Sequence, residues 1–299
     1  MIDVLLLYAF YSMPITLGKA ALQYAQPLFL VAARMLISGP LMLAYVYFFD
    51  RSNFKVSRAH YGLFAQAILL QIYLAYVLEF WALNNMNSSK NALLFTFAPF
   101  ITAIMCYFLY KEKMTWKKML GLAVGFLGSL PILLTHSGQN SLCFSFYCIG
   151  LPEVATFLAV ALFAYGWIVT GQLSKKYGYP TLMINGVTMF IGGVLVLLTS
   201  PLIDTWDPLP YTQFWPFIGY TIALIIVGNF IAFNWYIALM RKYTATFIAF
   251  VGFTEPLYVA VYSYLLLGEV VTWQFFVSLA IISLGLFIFY QEELRQKYI

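Results

Sequence analysis

The chain has 299 residues, 63% of them hydrophobic and only 9% charged, with a net charge of +5. A soluble domain carries about 25% charged and about 45–50% apolar residues, so this composition, with mean hydropathy +0.85, excludes a water-soluble fold and places the chain in a bilayer. The basic residues gather in a few loops, which excludes a nucleic-acid footprint and reads as membrane topology.

In chain order the apolar runs predict ten helices, over residues 3–20, 27–49, 61–84, 89–110, 116–135, 150–174, 181–200, 212–240, 245–267 and 271–291. A spanning helix needs about 20 mostly apolar residues. The runs are too long for the alternating strands of a membrane barrel. The first run lacks a basic leader and a small-residue cleavage site, so it reads as a retained helix. Pro14 predicts a bend within it. Helix 2 carries Arg34, and helix 3 carries Glu79 among Tyr73, Tyr76 and Trp81. Asn87-Ser88-Ser89 fits a glycosylation sequon, in a loop too short to use it. Helix 4 holds Pro99. Gly121 and Gly125 of helix 5 have the G-x-x-x-G spacing that lets helices approach closely, within the chain or in a dimer. Cys143 and Cys148 precede helix 6, either bridged or free. Trp167 lies in helix 6, Asn229, Phe230, Phe233, Asn234 and Trp235 in helix 8, and Glu255, Pro256, Tyr258 and Tyr262 in helix 9.

One pattern occurs twice. Phe97-Ala98-Pro99-Phe100 is followed by an apolar run and then Glu112, Thr115 and Trp116. Phe253-Thr254-Glu255-Pro256 is followed by another run and then Glu269, Thr272 and Trp273. The proline-to-glutamate spacing is 13 residues in both copies, and the copies lie 157 residues apart. Such duplication predicts a transporter built from two repeats, residues 1–135 and 150–291. Each proline removes a backbone donor and frees the carbonyl four residues earlier, on Phe95 or Gly252. Pro14, Pro99 and Pro256 are therefore candidate hinges, with Thr96 and Thr254 placed to serve the freed groups. Glu112 and Glu269 read as turn and helix caps.

With the N-terminus inside, the inner loops hold Arg51, Lys55, Arg58, Lys111, Lys113, Lys117, Lys118, Lys175, Lys176, Arg241, Lys242, Arg295 and Lys297, and the outer loops hold only Lys19 and Lys90. This bias predicts both termini on the cytoplasmic side. Five helices per repeat then give the halves opposite polarity.

The stretches Ala82-Leu83-Asn84, Asn91 to Ala103 with Phe97-Ala98-Pro99-Phe100 at its heart, Lys111-Glu112-Lys113 and Gly121 to Gly128 resemble the EamA-type module of the drug/metabolite transporter superfamily. The module recurs in Glu255-Pro256-Leu257, Gly268-Glu269 and Gly285, and the likeness takes in Pro27 to Arg34, so it covers nearly the whole chain. The resemblance implies an all-α membrane protein of ten transmembrane helices, two inverted five-helix repeats around a central cavity, with helices 5 and 10 peripheral. It also implies a carrier of a small-molecule metabolite, in a family whose members export amino acids, exchange metabolites or carry S-adenosylmethionine.

Ionisable groups inside a membrane are costly and mark function. Away from helix ends they are Arg34, Glu79 and Glu255, and in the first repeat Ala98 stands where the second has Glu255. An ion pair between Arg34 and a glutamate is one reading. The other gives Arg34 to a substrate carboxylate and Glu79 or Glu255 to a cation or proton. Tyr76, Trp81, Trp167, Asn229, Phe233, Asn234, Trp235, Tyr258 and Tyr262 complete the candidate substrate set, the aromatics suiting a flat or cationic ligand. No catalytic motif, metal cluster or cofactor loop is evident, and His60 and His136 lie at helix ends. The best expectation is a secondary transporter in a bacterial inner membrane moving a zwitterionic or cationic metabolite with an amino-acid head, first S-adenosylmethionine. The alternatives are an exporter of aromatic amino acids and, from another class, an intramembrane enzyme or lipid-handling protein, for which Asp3, Asp204 and Asp207 are poorly placed. A monomer is expected, with a dimer left open.

Overall fold

The computed structural model describes residues 2–85, 94–135, 150–207, 209–267 and 273–296, and these build ten helical rods. Rod 1 is α1 (Ile2–Ala21) and rod 2 is α2 (Pro27–Phe49). Rod 3 joins α3 (Tyr61–Gln66), a π-helical stretch (Ala67–Leu74) and α4 (Ala75–Asn85). Rod 4 is α5 (Ala98–Tyr110) and rod 5 is α6 (Trp116–Thr135). Rods 6 and 7 are α7 (Leu151–Lys175) and α8 (Thr181–Ile203). Rod 8 joins α9 (Phe214–Leu224), a second π-helical stretch (Ile225–Phe233) and α10 (Asn234–Leu239). Rod 9 is α11 (Ala245–Val251), a 3₁₀ turn (Gly252–Thr254) and α12 (Glu255–Leu267), and rod 10 is α13 (Trp273–Arg295). Among the described residues, seven segments have the length and apolarity to cross a membrane. The expectations for the sequon, Lys90, His136, Cys143, Cys148, Glu269, Thr272 and Lys297 fall outside the described residues.

The main contacts recur between rods five places apart. Rod 2 packs on rod 7, and rod 5 on rod 10. Rod 1 packs on rods 8 and 9, as rod 6 packs on rods 3 and 4. Small residues make the closest crossings. A Cβ on Gly285 would lie 2.8 Å from the Gly125 amide nitrogen, and one on Gly121 would lie 3.2 Å from the Gly285 carbonyl. The G-x-x-x-G of rod 5 is thus used within the chain, against rod 10.

Both repeated prolines sit in the first turn of a helix, where their missing donor costs nothing. Pro99 opens α5 after a turn at Thr96–Phe97, and Pro256 opens α12 after the 3₁₀ turn. The Gly252 carbonyl is not served by Thr254, as its position suggested. The Glu255 backbone N–H takes it through the 3₁₀ turn, while Thr254 donates its hydroxyl to the Val251 carbonyl at 2.7 Å. Pro14 lies inside an α1 that continues through it. Its ring would be 3.2 Å from a Cβ on Gly228, so it packs into the second π-helical stretch.

The termini and the basic loops share one end of the bundle. Lys242 Nζ meets Asp3 Oδ2 at 3.3 Å. Arg241 Nη2 donates to the Tyr179 carbonyl (2.8 Å), and the Tyr179 hydroxyl accepts from the Ser57 N–H (3.0 Å) and pairs with His60 Nδ1 (2.8 Å). Gln296 Nε2 donates to the Lys113 carbonyl at 3.3 Å. The loops after rods 1 and 7 meet at the other end, where Gln26 N donates to the Pro210 carbonyl and Thr212 N to the Tyr24 carbonyl.

Three polar groups read as loop residues are buried instead. Lys118 is fully buried, paired with Glu293 across rods 5 and 10. Glu112 does not cap its own turn, because its Oε2 accepts from the Thr246 hydroxyl of α11 at 2.8 Å. Thr115 does the capping, accepting from Lys118 N at 3.4 Å. Asp204, read as a loop acid, accepts from the Phe29 N–H (2.8 Å) and the Ser200 hydroxyl (2.7 Å), and so caps α2 from the far repeat.

Candidate functional site

Arg34 projects from the middle of α2. Its Nη2 donates to the Tyr76 hydroxyl at 2.9 Å, and its guanidinium lies 5.3 Å from the centre of that ring. A cation held against an aromatic face and a phenol oxygen keeps its charge with little water around it. Its Nε finds no hydrogen-bond partner. Among the described residues no ion pair within 4 Å joins Arg34 to Glu79 or Glu255, so the clamp reading does not hold.

Glu79 is on α4, one turn beyond Tyr76, in electrostatic reach of Arg34. Glu255 opens α12, directly after the 3₁₀ turn. Among the described residues its electrostatic neighbours include Glu79, Tyr8, Tyr11 and Tyr236. Both glutamates are partly buried. The broken helix is what places Glu255. A turn of 3₁₀ ahead of a proline ends one helix and starts another, so Glu255 stands at the junction, in the first turn of α12.

An aromatic wall stands beside these charges. Trp167 of α7 stacks on Tyr236 with ring centres 4.2 Å apart and meets Phe233 edge-on at 5.2 Å. Tyr11 of α1 touches Trp167, Phe233 and Tyr236. Phe163 stands edge-on to Tyr76 at 5.0 Å. Sequence reasoning missed Tyr8, Tyr11, Phe163 and Tyr236. The two tyrosines of α1 have a findable signal, being phenols three residues apart with Pro14 a further three residues on.

The other predicted residues take up separate positions. Asn229 and Asn234 belong to a buried polar spine. Asn185 Nδ2 donates to Asn234 Oδ1 (3.0 Å), Asn234 Nδ2 donates to the Asn229 and Phe230 carbonyls (3.0 Å each), and Asn229 Nδ2 donates to Ser38 Oγ (2.8 Å) and the Arg34 carbonyl (3.2 Å). The spine serves carbonyls of the π-helical stretch and ties α8, rod 8 and α2 together under Arg34. Tyr258 and Tyr262 give their hydroxyls to the Leu5 (2.9 Å) and Ala9 (2.6 Å) carbonyls, fastening α12 to α1. Trp235 lies against Phe10, on the outer side of the bundle. Trp81 is half-buried near the end of α4, and its carbonyl accepts from Asn85 Nδ2 at 2.7 Å. Tyr73 accepts from Thr199 Oγ1 at 3.1 Å. Among the described residues no group of His, Cys, Asp and Glu is placed to hold a metal.

Ten rods, two broken helices at matching positions and an interior cation with two carboxylates define a membrane carrier, and the comparisons agree. The EamA-like transporter family model matches residues 1–134 and again 151–291, and the chain belongs to that family. It is 32% identical over 290 residues to an S-adenosylmethionine/S-adenosylhomocysteine transporter of Chlamydia muridarum, covering 97% of this chain and 91% of the relative. The protein so named in Chlamydia trachomatis is 31% identical, with 97% and 88% covered. An uncharacterized transporter of Bacillus subtilis, YvbV, is 25% identical over 285 residues. A solved crystal structure superposes with a TM-score of 0.75 at 16% identity, over 96% of both chains, which shows the fold. The chain is an integral membrane protein of a transporter family, which sets aside the enzyme reading.

Proposed function

We propose that this protein is a secondary transporter that moves S-adenosylmethionine, and its demethylated product, across a bacterial inner membrane by alternating access. The two five-helix halves, residues 1–135 and 150–291, rock about the interior site, with the basic end and both termini in the cytoplasm. The observation that supports this reading most is the arrangement at Arg34. The guanidinium is positioned by Tyr76 yet keeps Nε free, and the glutamates are unpaired with it. That geometry suits a ligand bringing both charges: a carboxylate for Arg34 and a cation for Glu79 or Glu255. S-adenosylmethionine has a carboxylate, an ammonium, a sulfonium and a flat purine for the Tyr11, Trp167 and Phe233 rings. The full-length likeness to two transporters carrying that substrate in their names adds support. An exporter of aromatic amino acids is the second reading, favoured by the same aromatic wall.

Thermal unfolding of the purified protein tests it. At pH 7.5 S-adenosylmethionine raises the midpoint more than S-adenosylhomocysteine, and both exceed phenylalanine. A response to neutral aromatic amino acids alone moves the assignment to the exporter.

A further inference from the structure

Rod 1 packs on rods 8 and 9 of the second half, and rod 6 on rods 3 and 4 of the first, so each half carries the other's leading rod. Rods 1, 8 and 9 thus face rods 3, 4 and 6. Among the described residues, the main contacts between these two groups all use α10 or α11. Both meet α7, and α11 also meets α5. None of the main contacts joins α4 or α7 to α9 or α12. The buried apolar side chains divide the same way. One cluster crosses both groups at the basic end, through Leu7, Phe64, Leu173, Ile237 and Phe247. Towards the other end the clusters are separate, one around Leu30 and Phe217 and one around Tyr76 and Val196. The two groups are therefore closed on each other at the basic end. The rings of Tyr11, Trp167, Phe233 and Tyr236 form the layer of that closure deepest in the membrane.

The turn between rods 8 and 9, residues 240–243, carries the closure to the surface. Met240 is buried against Gly171 of α7, where a Cβ would lie 2.4 Å from its Sδ and 3.3 Å from its Cβ. Glycine is what allows so close an approach, and a flexible thioether fills such a slot well. Arg241 ties the rim. Its Nε donates to Ser174 Oγ at 2.6 Å, and its Nη2 to the Tyr179 carbonyl at 2.8 Å. Tyr179 is itself held from the first half, by the Ser57 N–H and His60. A side chain in a slot with two polar ties above it can part and reclose. The crossing of rods 5 and 10 is of another kind, with backbone against backbone at Gly125 and Gly285. Resting on the carrier reading above, we infer that Met240 in its Gly171 slot, tied by Arg241, is the gate on the basic side. It is shut in this structure, and it parts when cargo passes to or from that side while rods 5 and 10 stay together.

Thiol reactivity tests this in nanodiscs, where reagent reaches both faces, in a background with Cys106, Cys143 and Cys148 replaced. A Ser174→Cys reporter should react slowly with a bulky maleimide. Arg241→Met removes both rim bonds without adding volume. It should raise that rate about fivefold, the shift that about one net hydrogen bond allows. Gly171→Val fills the slot and should raise the rate at least as far. Val46→Cys, a reporter buried in α2 at the same end, should stay slow in both variants, which separates opening from loss of fold. A Ser174→Cys rate that neither variant changes overturns the inference, and so does a rise shared equally by Val46→Cys. In proteoliposomes, exchange of labelled S-adenosylmethionine should fall several-fold in Gly171→Val with binding retained. Full exchange with the slot filled also overturns the gate. The nanodisc rates are read without ligand, so absence of S-adenosylmethionine binding by the wild type sinks the substrate reading alone.

Discussion

Glu112 sits in the short connection between α5 and α6, where its spacing before Thr115 and Trp116 reads as a helix cap. The fold gives it another task. Its carboxylate reaches across to Thr246 on the other half of the molecule. Burial pushes its carboxyl above the ordinary carboxylate range and Glu293 adds to this, while the Thr246 hydroxyl, Lys118 and Lys175 oppose it. The sign follows directly. The folded chain binds this proton more tightly than the unfolded chain, so ionised Glu112 costs stability, and the cost grows as pH rises through the raised value. Glu112→Gln keeps an acceptor for Thr246 and removes the cost. Its unfolding midpoint should exceed that of the wild type by a few degrees at pH 8, and the gap should close towards about pH 5 as the wild-type carboxyl protonates. A gap that is constant across pH, or a variant weakened at pH 8, would show that the Thr246 bond depends on the charge.

The broken helices were legible because a proline leaves a mark in the sequence, and both breaks fall at the repeated Pro99 and Pro256. The π-helical stretches at Ala67–Leu74 and Ile225–Phe233 were not legible. Nothing local demands them: both are apolar runs, read as ordinary helix. What holds the second one is Asn234, which serves the Asn229 and Phe230 carbonyls, and its partner Asn185 is 49 residues away. Asn229 and Asn234 read from the sequence as candidate substrate groups, yet their amide nitrogens are tied up within the protein, which a single helix cannot reveal. The same holds for Asp204, whose bonded amides at Leu28 and Phe29 are 176 and 175 residues off. Short-range signals thus gave the rods and the charged trio, and long-range pairings decided which polar groups were free. The contact between rods 5 and 10 makes a sharp test at this scale. Gly285→Ala places a methyl 2.8 Å from the Gly125 nitrogen, against backbone that cannot yield as a side chain can. It should destabilise the detergent-solubilised protein by about 1–3 kcal/mol. Gly219→Ala, where nothing lies within 4 Å, is the matched control and should be close to neutral. Equal midpoints for the two variants would mean that the rods can part at no cost.

Across the whole molecule, symmetry in packing coexists with asymmetry in charge. The main contacts recur between rods five places apart, yet the described connections at one end hold nearly all the basic residues. A soluble protein has no reason to segregate charge in this way. A membrane protein has one, because the side that retains Lys and Arg is the side from which it was inserted. Contacts already place Asp3, near the N-terminus, beside Lys242 and Gln296, near the C-terminus, on Lys113, so both ends of the described chain and the basic loops share a face whatever its orientation. The turn after rod 4 carries Lys111 and Lys113, whereas its counterpart after rod 9, residues 268–272, has no lysine or arginine. If the halves are inverted copies, these two turns lie on opposite sides of the bilayer. In a background with Cys106, Cys143 and Cys148 replaced, a single cysteine at Lys113 should react with an impermeant maleimide only in inside-out vesicles. A cysteine at Val270 should react only in intact cells. Both reacting from one side would break the inverted-repeat reading and the rocking mechanism with it. Both switching sides would keep the repeat and reverse the orientation, placing the termini outside against the basic bias.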